Sequence, residues 1–274
     1  MTTRTSFAPF ESDRTGSVTH PTPAQSAAGR PRCAFVLAAL LWAAACLPSL
    51  EAQIYVANSG GSSSVTSYGS TANGNSSPSS TISGNNTGVN VPYAIAADAT
   101  NLYVVNDGAG AGTVTIYGRS SNGNLAPGRS ISGSNTGLSA PYGVAVDPSS
   151  IYVTNNNSNT VTIYPLGASG NAAPVATISG GNTGLTPTGI AVDASNLYVT
   201  NNATVTVYAL SGVTSGTLNL TPSATITGAS LSPTGIAVDS SHIYVANLDN
   251  SILVYALNAN GAATPTATIS GSKS

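Results

Sequence analysis

The amino-acid sequence predicts an all-β fold made of five similar units that follow one another along the chain. A tyrosine within an apolar segment recurs at intervals of 46 to 49 residues, at Tyr55, Tyr103, Tyr152, Tyr198 and Tyr244. Every unit repeats the same short segments rich in Val, Ile, Thr and Tyr, which is the composition of β-strands. After residue 52, no segment of useful length has the 3.6-residue hydrophobic period of a helix.

Four kinds of segment build these units, and each kind predicts one strand. The first reads IYVANS (54–59), LYVVND (102–107), IYVTNN (151–156), LYVTNN (197–202) and IYVANL (243–248). The second reads SVTSY (64–68), TVTIY (113–117), TVTIY (160–164), TVTVY (204–208) and SILVY (251–255). The third reads STISG (80–84), RSISG (129–133), ATISG (176–180), ATITG (224–228) and ATISG (267–271). The fourth precedes the first in four units only, as PYAIAAD (92–98), PYGVAVD (141–147), PTGIAVD (187–193) and PTGIAVD (233–239).

Turn residues separate these segments. The pairs Asn73-Gly74, Asn122-Gly123 and Asn260-Gly261 supply the positive φ of a tight reversal, and Ser169-Gly170-Asn171 does the same in its repeat. An aspartate ends each copy of the fourth segment, where its carboxylate can accept backbone N–H bonds in an Asx-turn. Four short antiparallel strands in a repeat of this length predict one blade of a β-propeller, whose apolar faces are covered by the neighbouring blades.

The predicted fold is therefore an all-β propeller of five four-stranded blades in which the first blade lacks one strand. The repeats span approximately residues 53–91, 92–140, 141–186, 187–232 and 233–271. Two closures are compatible with this pattern. The ring closes imperfectly with a thin first blade, which we favour, or it stays open and exposes sheet surface that pairs with another copy.

The order P-x-G-I-A-V-D, I-Y-V-T-N, T-V-T-V-Y and A-T-I-S-G resembles bacterial β-propeller repeats of the NHL and YVTN types. The resemblance covers essentially all of residues 54–271 and is specific for architecture. It implies either a binding scaffold or a lactonase-like or lyase-like enzyme, since those families include both. The chain departs from the NHL pattern in the third strand, where Thr160, Thr204 or Ser251 replaces the usual arginine.

The N-terminal part predicts an export signal. Residues 1–32 form a disordered n-region, and residues 33–52 form the hydrophobic and cleavage regions of a signal peptide, with the apolar run at 33–50. We favour cleavage after Ala52; lipidation at Cys46 and an uncleaved anchor are the alternatives. Each of them places the propeller at 53–274 outside the cytoplasm, as a secreted, periplasmic or cell-surface protein. Membrane contact is expected only through a leader that is uncleaved or lipidated.

Charge and composition exclude several function classes. The chain has 7 Lys and Arg, 9 Asp and Glu and a formal net charge of −2, so it has no basic patch for nucleic acid. Residues 53–274 contain no Cys and no Glu, and His242 is their single histidine. His242 lies in a turn, and Arg119 and Arg129 are interpreted as solubilising surface residues. We therefore predict no catalytic residue, no enzymatic activity and no cofactor.

One alternative involves a metal. The four repeated aspartates could form a ring of oxygens at one mouth of the propeller and hold a weakly bound Ca²⁺: Asp98, Asp147, Asp193 and Asp239. Such a site would suit a metal-assisted lactonase-like enzyme. We favour the interpretation in which each aspartate caps its own hairpin, because a residue repeated in every complete blade is what a turn requires.

The predicted function is a non-catalytic binding or interaction scaffold for an unidentified glycan or protein. Tyr93 and Tyr142 are the first candidate contacts, because they follow the proline of the fourth segment and the later repeats have Thr188 and Thr234 there. Asparagines of nearby loops are the second candidates: Asn155, Asn156, Asn201 and Asn202. The alternative is a structural surface protein that self-associates through its incomplete first blade.

Overall fold

A computed structural model describes residues 53–61, 63–108, 112–228 and 231–271 of the 274-residue chain. This part is almost entirely β-structure, with a single turn of 3-10 helix at Leu210–Gly212. Among the described residues, no helix is both long and apolar enough to cross a bilayer. The predicted signal peptide, its cleavage after Ala52 and lipidation at Cys46 lie outside the described residues.

The strands group into five sheets, which confirms the predicted five-bladed propeller. Blade 1 contains β1 (Gln53–Asn58), β2 (Ser64–Gly69) and β3 (Ser80–Ser83). Blade 2 contains β4 (Pro92–Ala97), β5 (Asn101–Asn106), β6 (Thr113–Gly118) and β7 (Arg129–Ile131). Blade 3 contains β8 (Pro141–Val146), β9 (Ser150–Asn155), β10 (Thr160–Pro165) and β11 (Ala176–Ile178).

The remaining strands complete blades 4 and 5. Blade 4 contains β12 (Pro187–Val192), β13 (Asn196–Asn201), β14 (Thr204–Ala209) and β16 (Ala224–Thr227). Blade 5 contains β17 (Pro233–Val238), β18 (His242–Asn247), β19 (Ser251–Ala256) and β20 (Ala267–Ile269). One further strand, β15 (Gly216–Leu218), comes from the long loop of blade 4 and pairs in parallel with β11 of blade 3.

Consecutive strands within each blade are antiparallel, and the innermost strand comes from the fourth kind of segment. In blades 2 to 5 this inner strand pairs with the Tyr-containing strand after a register shift behind its first proline. Blade 1 has only three strands, so β1 is its innermost strand among the described residues. Within residues 53–91, blade 1 therefore has three strands where the other blades have four.

Apolar side chains on the facing surfaces of consecutive sheets hold neighbouring blades together. Four hydrophobic clusters occupy the four interfaces between consecutive blades. The cluster between blades 1 and 2, for example, joins Val65 and Ile82 to Leu102, Val104 and Tyr117. A single sheet cannot bury its own faces, so the burial of these aliphatic and aromatic groups against the neighbouring blade is the main contribution to the stability of the fold. Among the described residues, no core cluster spans blade 5 and blade 1.

A second link, which we call the clasp, joins each blade to the one before it. The loop leading to the outer strand of blade 2 places Gly123, at φ 84°, beside β3 of blade 1. The Gly123 N–H donates to the Thr81 carbonyl at 2.7 Å, and the Ser83 N–H donates to the Gly123 carbonyl at 3.3 Å. Gly170, β15 and Gly261 make the same parallel contact on blades 2, 3 and 4. The clasp therefore links each pair of consecutive blades through backbone hydrogen bonds.

Candidate functional site

The inner strands of blades 2 to 5 converge on one cavity at the axis of the propeller. The cavity has a volume of about 210 Å³. Its lining consists of Tyr93, Ala94, Ile95, Tyr142, Gly143, Val144, Gly189, Ile190, Thr234, Gly235 and Ile236. This lining has no carboxylate, amine, imidazole or thiol. It is a neutral wall of aromatic rings, aliphatic side chains and backbone.

Tyr93 and Tyr142 stack against each other at this cavity. Their ring centroids are 4.8 Å apart and the ring planes are tilted by 36°. Tyr93 is 44% exposed, which makes it one of the few large apolar side chains that solvent reaches. The two tyrosines lie one blade apart because each follows the first proline of its inner strand. The structure therefore brings together the two residues that sequence analysis placed first among the candidate contacts.

Tight packing beside the tyrosines keeps the cavity narrow. A Cβ added at Gly143 would lie 2.8 Å from the Thr188 carbonyl oxygen and 2.9 Å from the Thr154 hydroxyl. The Gly143 N–H donates to Thr154 Oγ1 at 2.7 Å, and that hydroxyl donates to the Thr188 carbonyl of the next blade at 2.7 Å. Sequence analysis missed this role of Thr154. The signal that could have revealed this role is a difference among the repeats: blades 3 and 4 have Thr at the fourth position of this segment, where the other blades have Ala or Val.

The four candidate asparagines fall into two groups. Asn155 and Asn201 are 0% and 1% exposed. The Asn155 amide donates to Val153 O at 3.3 Å and to Thr162 Oγ1 at 3.0 Å, and its Oδ1 accepts the Ser139 N–H at 3.1 Å. Asn201 repeats this pattern in blade 4. Both amides are thus used inside their blades and present no group to a ligand.

Asn156 and Asn202 lie in exposed positions directly after these buried asparagines. The Asn156 amide donates to the Pro187 carbonyl of the next blade at 3.0 Å. The Asn202 N–H donates to Thr186 Oγ1 at 3.1 Å. Both residues sit at the same end of the propeller as the prolines that begin the inner strands, which is the end where Tyr93 is exposed. They remain candidate contacts at this end of the propeller, outside the lining of the cavity.

The repeated aspartates lie at the opposite ends of the inner strands, where each caps a hairpin. Oδ1 of Asp98 accepts the Thr100 and Asn101 N–H groups at 2.6 and 2.7 Å, and Oδ2 accepts the Tyr103 hydroxyl at 2.6 Å. The same bonds form at Asp147, Asp193 and Asp239. Among the described residues, no group of three or more acidic, histidine or cysteine side chains is placed to hold a metal ion. The structure therefore does not bring the four carboxylates together as a calcium ring.

These bonds shift the titration of the paired groups in opposite directions. Burial acts to raise the pKa of Asp98, but the bonds from the Tyr103 hydroxyl and the two N–H groups outweigh it and hold the pKa at about 2. Burial, together with the Asp98 carboxylate, raises the pKa of Tyr103 to about 12. At neutral pH the Asp98 carboxyl is therefore ionised and the Tyr103 hydroxyl is protonated. In this state the carboxylate accepts the hydrogen bonds that cap the hairpin.

His242 lies at an exposed hairpin near Asp239 and Ser241, and these three residue types form the catalytic triad of many hydrolases. The Ser241 hydroxyl is 2.9 Å from His242 Nδ1 and also donates to Asp239 Oδ1 at 3.0 Å. The same Asp239 oxygen is 3.9 Å from Nδ1. In a triad the carboxylate holds one ring nitrogen and the nucleophile the other. Here both groups lie at Nδ1, so the geometry is that of a turn.

Comparison with known proteins agrees with the fold. A chain from the crystal structure of a nidogen/laminin complex aligns with a TM-score of 0.57 and 17% identity, covering 81% of this chain and 76% of that chain. The WD40 propeller domain of Doa1 aligns at a TM-score of 0.45 and 14% identity, covering 66% and 55%. The WD40 domain of Toxoplasma gondii coronin aligns with a TM-score of 0.48 and 15% identity, covering 66% of this chain and 46% of that chain.

No family model and no curated protein matches the sequence. At 17% identity the alignment to the nidogen/laminin structure shows the architecture alone. The five sheets of the structure and the nidogen/laminin alignment together show that the chain folds as a β-propeller.

Proposed function

We propose that this propeller is a non-catalytic binding module whose partner is a protein held at the axial cavity. The observation that carries the proposal is the partly exposed Tyr93–Tyr142 pair at that cavity. On this proposal the protein acts outside the cytoplasm, which is the location that its predicted leader implies.

The chemistry of the cavity favours binding over catalysis. Proton transfer and nucleophilic attack require a titratable or nucleophilic group near the reacting atoms. The cavity lining supplies only tyrosine and threonine hydroxyls. Its volume of about 210 Å³ also lies below the roughly 300–1,000 Å³ typical of pockets that enclose a small molecule. A cavity of this size accommodates one side chain inserted from a larger partner.

The aromatic pair is the type of group that anchors a protein partner. Tyrosines are enriched at the energetic centres of protein interfaces, because a rigid ring buries a large area at a low cost in conformational entropy. The hydrogen bonds of Thr154 hold the neighbouring wall in place before the partner arrives. The neutral lining favours an apolar or aromatic side chain of the partner over a charged one.

The test is selection of ligands by the full-length chain from a library of random twelve-residue peptides, followed by affinity measurements on the enriched peptides. We expect Tyr93→Ala and Tyr142→Ala each to weaken binding by about 30-fold, which is the size of a hot-spot loss. Tyr93→Phe should retain most of the affinity. Val175→Ala is the matched control, because Val175 is exposed to 45%, like Tyr93, but lies outside the cavity. Equal affinities in all four variants would refute the proposal.

A neutral glycan is the second candidate ligand. Two observations favour it: the exposed face of Tyr93, on which a sugar ring can stack, and the exposed polar residues Asn156 and Asn202 at the same end of the propeller. An array of glycans and cell-wall polymers separates the two candidates. Saturable binding to a sugar that is lost in Tyr93→Ala, with no enriched peptide, would select the glycan.

A further inference from the structure

We propose that copies of this chain associate head to tail, with blade 5 of one copy binding blade 1 of a second copy. The contact would be the same one that joins consecutive blades within the chain. This inference is independent of the ligand at the axial cavity. It rests on three features of the two terminal blades.

The first feature is an uncovered apolar face on blade 1. Ile54 is 46% exposed and Val56 is 37% exposed. At the position of Ile54, the other blades bury a Leu or Ile to 1% or less: Leu102, Ile151, Leu197 and Ile243. At the position of Val56, the other blades bury a valine completely: Val104, Val153, Val199 and Val245. In those blades these side chains are covered by the preceding blade, and blade 1 has no such cover among the described residues.

The second feature is the matching apolar face on blade 5. Ile252 is 40% exposed and Ile269 is 54% exposed. Their counterparts in blade 4 are Val205 and Ile226, both at 0%, which pack directly against blade 5. The exposed face of blade 5 is thus the side on which every earlier blade receives its successor. Neither face carries a charged residue at these positions, so two copies would bury aliphatic surface without burying an unpaired charge.

The third feature is that each terminal blade carries one half of a clasp whose other half is absent from the described residues. Blade 1 carries the tripeptide Asn73-Gly74-Asn75, which is identical to the clasp tripeptide Asn122-Gly123-Asn124 of blade 2. Gly74 already has a φ of 58°, in the same left-handed region as Gly123. At the other end, β20 pairs only with β19 among the described residues. Blade 1 thus offers a clasp loop and blade 5 offers an outer strand that no described loop covers.

A second copy is the occupant because one chain carries both halves of the interface on different surfaces. Among the residues that the structure describes, no core cluster joins the two halves within one molecule. A contact between unlike surfaces is heterologous, so it leaves one free head and one free tail and extends into chains or larger rings. This property separates it from a symmetric dimer.

Sedimentation velocity of the full-length chain, with two complementary variants, tests the inference. Val56→Asp disables the head and Ile269→Asp disables the tail. The wild type should form concentration-dependent oligomers, and each variant alone should remain monomeric. A mixture of the two variants should form a dimer and nothing larger, because one intact head meets one intact tail. Association through the leader would persist in each variant alone, and a symmetric interface would not be restored by mixing.

Val175→Asp is the control, since it places the same charge at an exposed valine away from both terminal faces; it should assemble like the wild type. If either aspartate variant fails to fold by circular dichroism, Ile54→Ser and Ile252→Ser replace it as milder head and tail variants. A wild type that stays monomeric at millimolar concentration, or a mixture that yields no dimer, would overturn the inference.

Discussion

Replacing Tyr164 by Phe removes one hydroxyl from the interface between blades 2 and 3. Tyr164 is 0% exposed, and its hydroxyl donates to the Thr136 carbonyl at 2.5 Å. Thr136 belongs to the loop that connects the two blades and is itself 1% exposed. Tyr117 and Tyr208 make the equivalent bond to Thr87 and Thr183. The substitution therefore tests an element that the propeller repeats between its blades.

The expected loss of stability follows from burial. Removing one partner of a buried hydrogen bond costs about 1–3 kcal/mol, because the remaining carbonyl loses its donor and stays out of reach of water. In a domain of this size each kcal/mol lowers the melting temperature by about 2–4 °C. Tyr164→Phe should therefore lower the melting temperature by roughly 2 to 12 °C, with little change in the far-ultraviolet spectrum.

Tyr68 provides the matched control. It occupies the same position in blade 1, where no preceding blade supplies a threonine loop among the described residues, and it is only half-buried. In dilute protein Tyr68→Phe should change the free energy of unfolding by less than about 0.5 kcal/mol. Urea and thermal denaturation of both variants measure the difference. Equal effects in the two variants would refute the argument that the bond between blades contributes this stability.

The remaining predictions concern caps, buried amides and close packing. Because the Asp98 carboxyl has a pKa of about 2 against its ordinary 3.8, its stabilising contribution is complete above about pH 4 and is lost as the pH falls towards 2. Asp98→Asn should therefore make the free energy of unfolding depend less steeply on pH over that range, and an unchanged dependence would contradict this. Asn201→Asp should destabilise the protein by at least about 2 kcal/mol, because the Asn201 amide donates to two buried oxygens that a carboxylate would repel. The adjacent, exposed Asn202→Asp should cost less than about 0.5 kcal/mol in the same urea titration. Gly143→Ala should cost about 1–3 kcal/mol through overpacking at 2.8 Å, whereas Gly235→Ala, whose nearest atom would be 3.7 Å away, should be close to neutral by calorimetry.

The local repeats of the sequence were sufficient to predict the blades. Segments such as IYVTN and TVTVY combine β-branched residues with flanking turn signals, so their strands could be located without knowing the tertiary structure. The missing strand of blade 1 followed from the same count. Strand β15 could not be found in this way, because it lies in one unusually long loop and pairs in parallel with a strand of the preceding blade.

Contacts between blades were the hardest to predict at single residues. The sequence predicts that Arg129 is a solubilising surface residue, but Arg129 is half-buried and its Nη1 donates to the Leu166 and Ala168 carbonyls of the next blade, both at 3.0 Å. The asparagine-rich loop that begins at Asn155 suggests a ligand contact at this residue, whereas the structure buries it. The better signal was its recurrence at the end of the same strand in all five repeats, since a residue that recurs in every blade serves the blade itself.

Because every clasp comes from the repeat that follows the strand it covers, the clasps form in a fixed order during synthesis. Each outer strand is covered by a loop that lies later in the chain, as Gly123 covers β3. During synthesis, which proceeds from the N-terminus, a completed sheet therefore keeps an open edge until the next repeat leaves the ribosome. Truncation from the C-terminus would strip the cover from the preceding repeat, whereas truncation from the N-terminus would leave every remaining clasp in place. Amide hydrogen exchange of the dilute protein should therefore show weaker protection in β20 than in the four outer strands that a clasp covers, β3, β7, β11 and β16.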